Sequence, residues 1–369
     1  MKVLHILNEL KFSGAEIMYT NAAKIFQDFG CELTVLETSS NYGEYTPYFE
    51  KSGYKVIHKT YPTNLRKKIQ YYKDIIKLLK EDKYDVVHIH RANMKFGMSY
   101  CAYRAGIKSI YTIHSVFKSH WYSYILHLLQ RIIMNNLFKC TFQAISDTVY
   151  KHEKQYYYNK NVIQIYNWYD SNRFYPPHPN DKQAIRERFN IPQDALVVIS
   201  IGGCSPIKRH TEIIKSLPSV IKKYPNTIYI HLGSGVSLEQ EEKLTKELKL
   251  NNHIRFYGNQ TNVRDFLIAS DIYIMCSTHE GISLTTIEAM ACKIPAILYE
   301  VPGLRDFNKE KECSMLIPED YNILSESIIE LYNNKPLQNS LIENAYTFIH
   351  NNFDMKTNAT NIFKLYSKN

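Results

Sequence analysis

Two carboxylates, Glu280 and Glu288, lie eight positions apart in a segment that changes from apolar to polar. Residues 271–276 have the apolar composition of a buried strand, a polar turn with Gly281 follows, and a helical pattern begins near Ser283. Glu280 is therefore expected at the carboxyl end of a strand, where open parallel sheets bind ligands. The first N–H groups of the helix face the same crevice and can hold an anion.

Glu288 lies one to two turns into this helix, too far along to cap it. From there its carboxylate can reach the crevice and accept two hydroxyl hydrogen bonds. A helix start suits phosphate groups, and two carboxylates suit rings that carry hydroxyl groups. A ligand with both features is a sugar nucleotide. The candidate donor-binding residues of this segment are Gly281, Ile282, Ser283, Leu284 and Glu288.

The same segment resembles the Glu-x7-Glu signature of the family-4 glycosyltransferases over eighteen positions, EGISLTTIEAMACKIPAI. The resemblance implies an α/β protein with the GT-B fold, in which two Rossmann-like domains face each other and a C-terminal helix crosses back to the N-terminal domain. It also implies that Glu280 contacts the sugar hydroxyls and that Glu288 contacts the ribose.

Short apolar segments alternate with helical patterns along the chain, an order typical of parallel sheets. In the first half, the predicted strands are Val3–Asn8, Leu33–Glu37, Lys55–His58, Val86–His90, Ile110–His114, Phe142–Ser146 and Val162–Tyr166. In the second half, they are Leu196–Gly202, Thr227–Gly233, Ile254–Tyr257, Ile272–Cys276, Ala296–Tyr299 and Met315–Ile317.

Residues 170–181 contain three prolines among polar residues and are predicted to be a linker. This divides the chain into an N-terminal acceptor-binding domain, 1–172, and a C-terminal nucleotide-sugar-binding domain, 173–350. Residues 351–369 are predicted to form the helix that returns to the first domain, with the helix itself at about Met355–Lys368.

Residues 200–209 resemble the family's Gly-Arg-x-Ser-Pro-x-Lys-Gly segment. The resemblance implies that Lys208 neutralises the leaving diphosphate, since a cation stabilises the charge that develops as the glycosidic bond breaks. The family's arginine falls on Gly203, and its glycine falls on Arg209. Two interpretations stay open: Arg209 supplies the second cation, or its side chain points to solvent.

Three further candidates follow predicted strands. Gly14 lies in a loop that resembles the family's Gly-Gly-Ala-Glu turn, with Ser13 in place of the first glycine, and a glycine there lets the backbone approach a ligand closely. By the same resemblance His114 faces the sugar ring and Gly233 lies beside the nucleotide. The alternative is that all three are ordinary structural residues at strand ends.

The chain has a net charge of +9, and residues 1–170 hold 23 basic and 14 acidic residues, so the whole excess lies in the N-terminal half. This excess indicates either solvated lysines or attraction to an anionic surface. The aromatic and apolar stretch Trp121–Met134 is compatible with a helix in a membrane interface or with a buried helix. We find no nucleic-acid motif, and the seven cysteines are scattered as in cytosolic proteins.

The sequence therefore predicts a cytoplasmic enzyme with peripheral contact on the inner face of the plasma membrane, with neither a signal peptide nor a membrane span. By resemblance it is a retaining glycosyltransferase that needs no metal or other cofactor. It would move a sugar from a nucleotide donor, expected to be a UDP-sugar, to a glycan or lipid-linked acceptor in bacterial surface polysaccharide synthesis. The alternatives are a scaffold subunit that binds the nucleotide sugar without turnover, and a GT-B isomerase or phosphorylase. The oligomeric state is not predicted.

Overall fold

The structure, a computed structural model, describes residues 1–116 and 121–367. Its internal contacts divide the chain into two compact units, one of Met1–Trp168 with Met355–Asn369 and the other of Tyr169–Asp354. These boundaries lie within four residues of the predicted ones at 172 and 350. Of the predicted terminal helix, Lys368 lies outside the described residues.

The first unit contains a parallel sheet of seven strands in the order β3-β2-β1-β4-β5-β6-β7. Its central strands are almost continuously buried, as expected for a parallel sheet with helices on both faces. The strands are β1 (Lys2–Leu7), β2 (Glu32–Glu37), β3 (Lys55–His58), β4 (Val86–Ile89), β5 (Lys108–Ile113), β6 (Thr141–Ala144) and β7 (Val162–Gln164). The helices are α1 (Gly14–Asn21), α2 (Ala23–Asp28), α3 (Thr46–Lys51), α4 (Leu65–Glu81), α5 (Lys95–Ala105), α6 (Trp121–Asn136) and α7 (Asp147–Gln155), with a short 3-10 turn at Ala92–Met94.

The second unit contains a parallel sheet of six strands in the order β10-β9-β8-β11-β12-β13. Its strands are β8 (Val197–Ile201), β9 (Ile228–Leu232), β10 (Ile254–Phe256), β11 (Ile272–Met275), β12 (Ala296–Tyr299) and β13 (Met315–Ile317). Its helices are α8 (Asp181–Arg188), α9 (His210–Lys223), α10 (Leu238–Glu247), α11 (Val263–Ala269), α12 (Leu284–Ala291), α13 (Tyr321–Asn333) and α14 (Lys335–Asn352), with a 3-10 turn at Arg305–Asn308.

The last helix, α15 (Met355–Ser367), packs into the first unit. Ala359, Ile362 and Leu365 join the core cluster that also contains Phe26 of α2. The Tyr366 hydroxyl lies 2.7 Å from His88 Nδ1 on β4 and forms a buried hydrogen bond with it. The chain therefore ends in the unit in which it began.

The segment predicted as a linker is instead packed into the second unit. Phe174 is buried, and the Arg264 guanidinium lies 3.7 Å from the centre of the Tyr175 ring. Arg264 also donates hydrogen bonds to the carbonyls of Tyr175 and Pro176. The prolines here prevent regular secondary structure, but the aromatic side chains between polar residues anchor the segment.

Among the described residues, no helix has both the length and the apolar character needed to cross a lipid bilayer.

Candidate active site

The strand order of the second unit reverses at β8, which has β9 on one side and β11 on the other. In doubly wound sheets, ligands bind at such a reversal, beyond the carboxyl ends of the strands. The loop after β8 carries Lys208, and the loop after β11 carries Glu280. The topology therefore places these two predicted residues at the expected binding edge.

Lys208 and Glu280 form an ion pair, with Lys208 Nζ 2.7 Å from Glu280 Oε1. The Ser277 hydroxyl donates a second hydrogen bond, of 2.6 Å, to the same oxygen. Both charged side chains are largely shielded, at 23% and 14% exposure, so their attraction is screened less than that of a surface pair. A cation and a carboxylate are thus adjacent. The cation could bind a phosphate group, and the carboxylate could accept a hydrogen bond from a hydroxyl group.

The loop containing Gly303 holds Glu280 in place. The Glu280 N–H donates a hydrogen bond of 2.9 Å to the Pro302 carbonyl. A Cβ on Gly303 would lie 2.2 Å from the Glu280 carbonyl oxygen, and Gly303 has a φ of +84°. Only glycine fits this close approach of two backbones.

Helix α12 begins at Leu284, with Ser283 as its N-cap, as the sequence predicted. The Ser283 hydroxyl accepts a hydrogen bond from the Thr286 N–H, which satisfies one of the unpaired donors of the first turn. Gly281, Ile282 and Ser283 are buried and lead from Glu280 into the helix. The positive end of the helix dipole therefore lies beside the Lys208–Glu280 pair, which favours an anion there.

Glu288 lies on α12, half-buried, five residues after the N-cap. Burial raises the pKa of its carboxyl group to about 8, and the positive charge of Arg173 acts in the opposite direction. A carboxylate with few water contacts gains strongly from a ligand that donates hydrogen bonds to it.

The pKa of Glu288 predicts a pH-dependent stability. Because the folded value of about 8 exceeds the ordinary 4.5, the folded state retains a proton that the unfolded chain releases between these pH values. The stability of the wild type therefore falls as the pH rises through this window, and the loss is complete above pH 8. We expect Glu288→Gln to unfold like the wild type below pH 4.5 and at a higher temperature above pH 8.

Thermal unfolding across this pH range measures the effect, with the exposed Glu247→Gln as the matched control. A difference between wild type and Glu288→Gln that stays constant with pH would contradict the shifted titration.

The turn after β9, which contains Gly233 and Gly235, packs against the loop that leads to Lys208. A Cβ on Gly233 would lie 1.9 Å from the Gly202 carbonyl oxygen, and one on Gly235 would lie 2.4 Å from the Cys204 carbonyl oxygen. Both glycines have positive φ, at 142° and 153°. Two glycines are therefore needed for the two strand-end loops to touch.

We expect Gly233→Ala to destabilise the protein by at least about 2 kcal/mol, because it combines a backbone clash with an unfavourable φ. Gly258→Ala is the matched control: its φ is also positive, at +63°, but no atom of the described residues lies within 4 Å of an added Cβ. It should cost only about 1 kcal/mol. Chemical denaturation measures the free energy of unfolding of both variants. Equal losses of this free energy would show that the contact between the loops contributes nothing to stability.

Arg209 does not point freely into solvent. Its side chain is 24% exposed, forms an ion pair with Glu319, and lies over the Tyr299 ring at 5.3 Å from the ring centre. Its φ of 52° is left-handed, which explains why a glycine suits this position. Gly203 has no side chain to supply a cation. Arg209 is thus a second cation in the same loop as Lys208, held by an acidic partner.

In the first unit, Gly14 is the first residue of α1, and Ser13, its N-cap, hydrogen-bonds the buried Glu16. His114 follows β5, and its Nε2 atom lies 3.1 Å from Nδ1 of His90. His90 in turn lies 3.1 Å from His5 through its Nε2 atom. Burial lowers the pKa of His114 to about 4, so its ring is neutral at physiological pH. The ligand roles of Gly14 and His114 stay predictions.

Sequence reasoning missed three supporting residues: Ser277, Glu319 and Arg173. Ser277 lies three residues before Glu280 in the loop after a predicted strand. A hydroxyl group at that place could have been recognised as a candidate hydrogen-bond donor to Glu280. Arg173 lies in the segment taken for a linker, and Glu319 lies 110 residues from its partner Arg209. Neither of these two has a local sequence signal.

A family model described as Glycosyltransferase Family 4 matches residues 12–202, more than half of the chain. The chain belongs to glycosyltransferase family 4. A second model, Glycosyl transferases group 1, matches residues 181–348, which include Lys208, Glu280 and Glu288. The protein is thus a glycosyltransferase with the GT-B fold.

Relatives of this glycosyltransferase include bacterial enzymes. It is 26% identical to the O-antigen biosynthesis glycosyltransferase WclY of Escherichia coli over 82% of this chain and 81% of that protein. It is 22% identical to N-acetyl-alpha-D-glucosaminyl L-malate synthase of Bacillus anthracis over 53% of this chain, a match that spans only 50% of that protein. The crystal structure of Anabaena Alr3699/HepE in complex with UDP aligns with a TM-score of 0.83 and 20% identity, covering 100% of both chains. This last likeness shows the shared fold.

Proposed function

We propose that this glycosyltransferase moves a sugar from a UDP-sugar to a hydroxyl of a glycan or lipid-linked acceptor in bacterial surface polysaccharide synthesis, with retention of anomeric configuration and without a metal. The Lys208–Glu280 ion pair at the strand-order reversal carries the proposal. The names of relatives support the setting, because one acts in O-antigen biosynthesis, and a protein of the same fold was crystallised with UDP.

In this mechanism the diphosphate lies at the N-terminus of α12, where free N–H groups and Lys208 bind its charge. Glu280 accepts hydrogen bonds from sugar hydroxyls, and Glu288 accepts them from the ribose. The acceptor hydroxyl attacks the anomeric carbon from the face that the diphosphate leaves. The electrons of the broken bond pass to the leaving oxygen, which also takes the acceptor proton. Lys208 and Arg209 stabilise the charge that builds on the diphosphate, which replaces the usual role of a metal.

A thermal-shift screen against nucleoside diphosphates and their sugars tests the donor class. A ligand at a hundred times its dissociation constant should stabilise the second unit by about 2.7 kcal/mol. We expect the largest shift with UDP or a UDP-sugar, followed by UDP release when an extract of lipid-linked acceptors is added. Nucleotide binding without transfer to any acceptor would favour a scaffold subunit, and release of an altered free sugar without acceptor would favour an isomerase or phosphorylase.

Helix α6 supports the predicted membrane contact, because its inward side carries the buried Arg131 and Met134 while a continuous apolar side faces outward. Toward the protein, Arg131 Nε donates a 2.8 Å hydrogen bond to Glu153, and Asn135 hydrogen-bonds Asn159. On the outside, a continuous apolar face is exposed at 37–77% and consists of Trp121, Tyr122, Ile125, Leu126, Leu129, Ile132 and Ile133. An apolar helix face that begins with Trp and Tyr is typical of a membrane interface. We propose that this face lies on an anionic lipid surface, toward which the +9 charge excess draws the protein.

Replacing Leu126 and Leu129 by Gln should abolish binding to vesicles that contain phosphatidylglycerol, because each leucine loses about 2 kcal/mol of apolar burial. Val236→Gln is the matched control, since Val236 is 89% exposed in the second unit. Cosedimentation at increasing salt measures binding, which should be weak on neutral vesicles. Equal binding to anionic and neutral vesicles would contradict the proposed attraction between the positive charge of the protein and anionic lipid. An oligomer that the double variant dissociates, without vesicle binding, would show that a second copy covers the face.

A further inference from the structure

Four buried side chains of the second unit, outside the Lys208–Glu280 pair, meet in one cluster: Cys204, His210, His231 and Glu241. Each is at most 2% exposed. Each offers one ligand atom, and these four atoms lie within 4.8 Å of one another. They come from four different elements, namely the loop after β8, the start of α9, β9 and α10.

Two of the separations inside the cluster are close to the edges of a tetrahedral metal site. Cys204 Sγ lies 3.2 Å from His231 Nε2, and His210 Nδ1 lies 3.3 Å from Glu241 Oε1. A tetrahedron of nitrogen, oxygen and sulfur ligands around Zn²⁺ has edges of about 3.3–3.8 Å. The remaining separations need to contract by no more than about 1.5 Å, which side-chain rotations can supply.

Two atoms of the cluster have unmet bonding capacity. His210 Nε2 and Glu241 Oε2 are buried and have no hydrogen-bond partner among the described residues. Leaving such atoms unpaired in the interior is costly, so a native protein usually supplies a partner. Rotation of the imidazole and of the carboxylate can turn these unpaired atoms toward a metal ion, which accepts a lone pair from either kind of atom.

An outer contact already orients His231. Its Nδ1 atom lies 3.1 Å from the Ser200 hydroxyl, so an Nδ1–H can donate to Ser200 and leave the Nε2 lone pair directed at the cluster. Histidine ligands of metals generally donate their second N–H in this way. Ser200 is thus placed to accept the Nδ1 proton of His231, which is the tautomer that a metal at Nε2 needs.

We propose that Cys204, His210, His231 and Glu241 bind one structural Zn²⁺ ion. A thiolate, a carboxylate and two neutral imidazoles balance the two positive charges, so the buried site is neutral. On binding, the thiol of Cys204 loses its proton to solvent and forms the sulfur–zinc bond. Sulfur and imidazole ligands in a closed set of four favour zinc over magnesium or calcium.

This ion takes no part in the transfer reaction, and its effect would be on Lys208. Cys204 precedes Lys208 by four residues, and His210 follows it by two. Lys208 lies in the loop between Cys204 and His210. Zinc would therefore attach both ends of this loop to His231 on β9 and to Glu241 on α10. Four residues with separations of 6, 21 and 10 positions show none of the usual zinc spacings, so the sequence contained no signal for this site.

The test uses the full-length protein, purified under reducing conditions without chelators. We expect about one zinc per chain by mass spectrometry of the metal content, and a fall in the unfolding temperature after chelation that added Zn²⁺ reverses. Reloading with Co²⁺ should give a thiolate-to-cobalt charge-transfer band and intense visible bands of a tetrahedral site.

Cys204→Ser should lose the charge-transfer band, and Glu241→Gln should weaken Zn²⁺ binding at least tenfold. Cys313→Ser is the matched control, since Cys313 is buried in the same unit outside the cluster, and it should keep the wild-type spectrum. The proposal is overturned if wild-type protein binds no Co²⁺ with these bands, or if the bands persist in Cys204→Ser. The wild-type spectrum decides the question even if a variant fails to fold.

Discussion

Replacing Lys208 by alanine is expected to lower kcat by about 10²–10³-fold, the typical effect of removing one preorganised group that stabilises transition-state charge. Donor binding should weaken much less, because the charge on the leaving oxygens grows only as the glycosidic bond breaks. Lys215→Ala is the matched control, since Lys215 lies on the following helix and pairs with Glu212. Steady-state kinetics with a saturating donor separate kcat from KM.

A Lys208→Ala enzyme with normal kcat and a raised KM would show that Lys208 only binds the donor. Arg209→Ala is the informative comparison, because Arg209 is the other cation of the loop and Glu319 holds it. We expect its kcat to fall less than that of Lys208→Ala. A wild-type rate would mean that the site works with one of these two cations.

Replacing Glu288 by alanine is expected to weaken UDP binding by roughly ten- to a hundredfold, since a hydrogen bond to a charged group is worth about 1.5–3 kcal/mol. Calorimetry above pH 8, where the Glu288 carboxyl is ionised, gives the full effect. Glu247→Ala serves as the control, because this exposed residue lies on α10 of the same unit. Unchanged UDP affinity in Glu288→Ala would exclude the ribose contact.

The strands could be predicted from the sequence because buried parallel strands are nearly continuous apolar runs between turn residues. Lys55–His58, Ala296–Tyr299 and Met315–Ile317 match the observed bounds. Most other strands end one or two residues earlier than predicted, as at Val86–Ile89, because the last residues turn out of the ladder into loops. The strand Glu32–Glu37 ends as predicted and begins one residue earlier. The position of Glu280 and the start of α12 followed from the same pattern.

Tertiary partners could not be predicted in this way. The ion pair between Arg131 and Glu153 decides which face of α6 turns inward, and nothing local to the helix indicates it. Arg173 acts on the charge of Glu288. It lies in the segment 170–181, which was predicted to be a linker because of its three prolines. Contacts between distant residues depend on how the elements pack, which periodicity does not describe.

The most direct test of the proposed reaction is the anomeric configuration of its product. The wild-type enzyme is incubated with a UDP-sugar and an acceptor, without added metal, and the new glycosidic bond is examined by NMR. We expect a product with the same anomeric configuration as the donor. An inverted product would contradict the proposed mechanism.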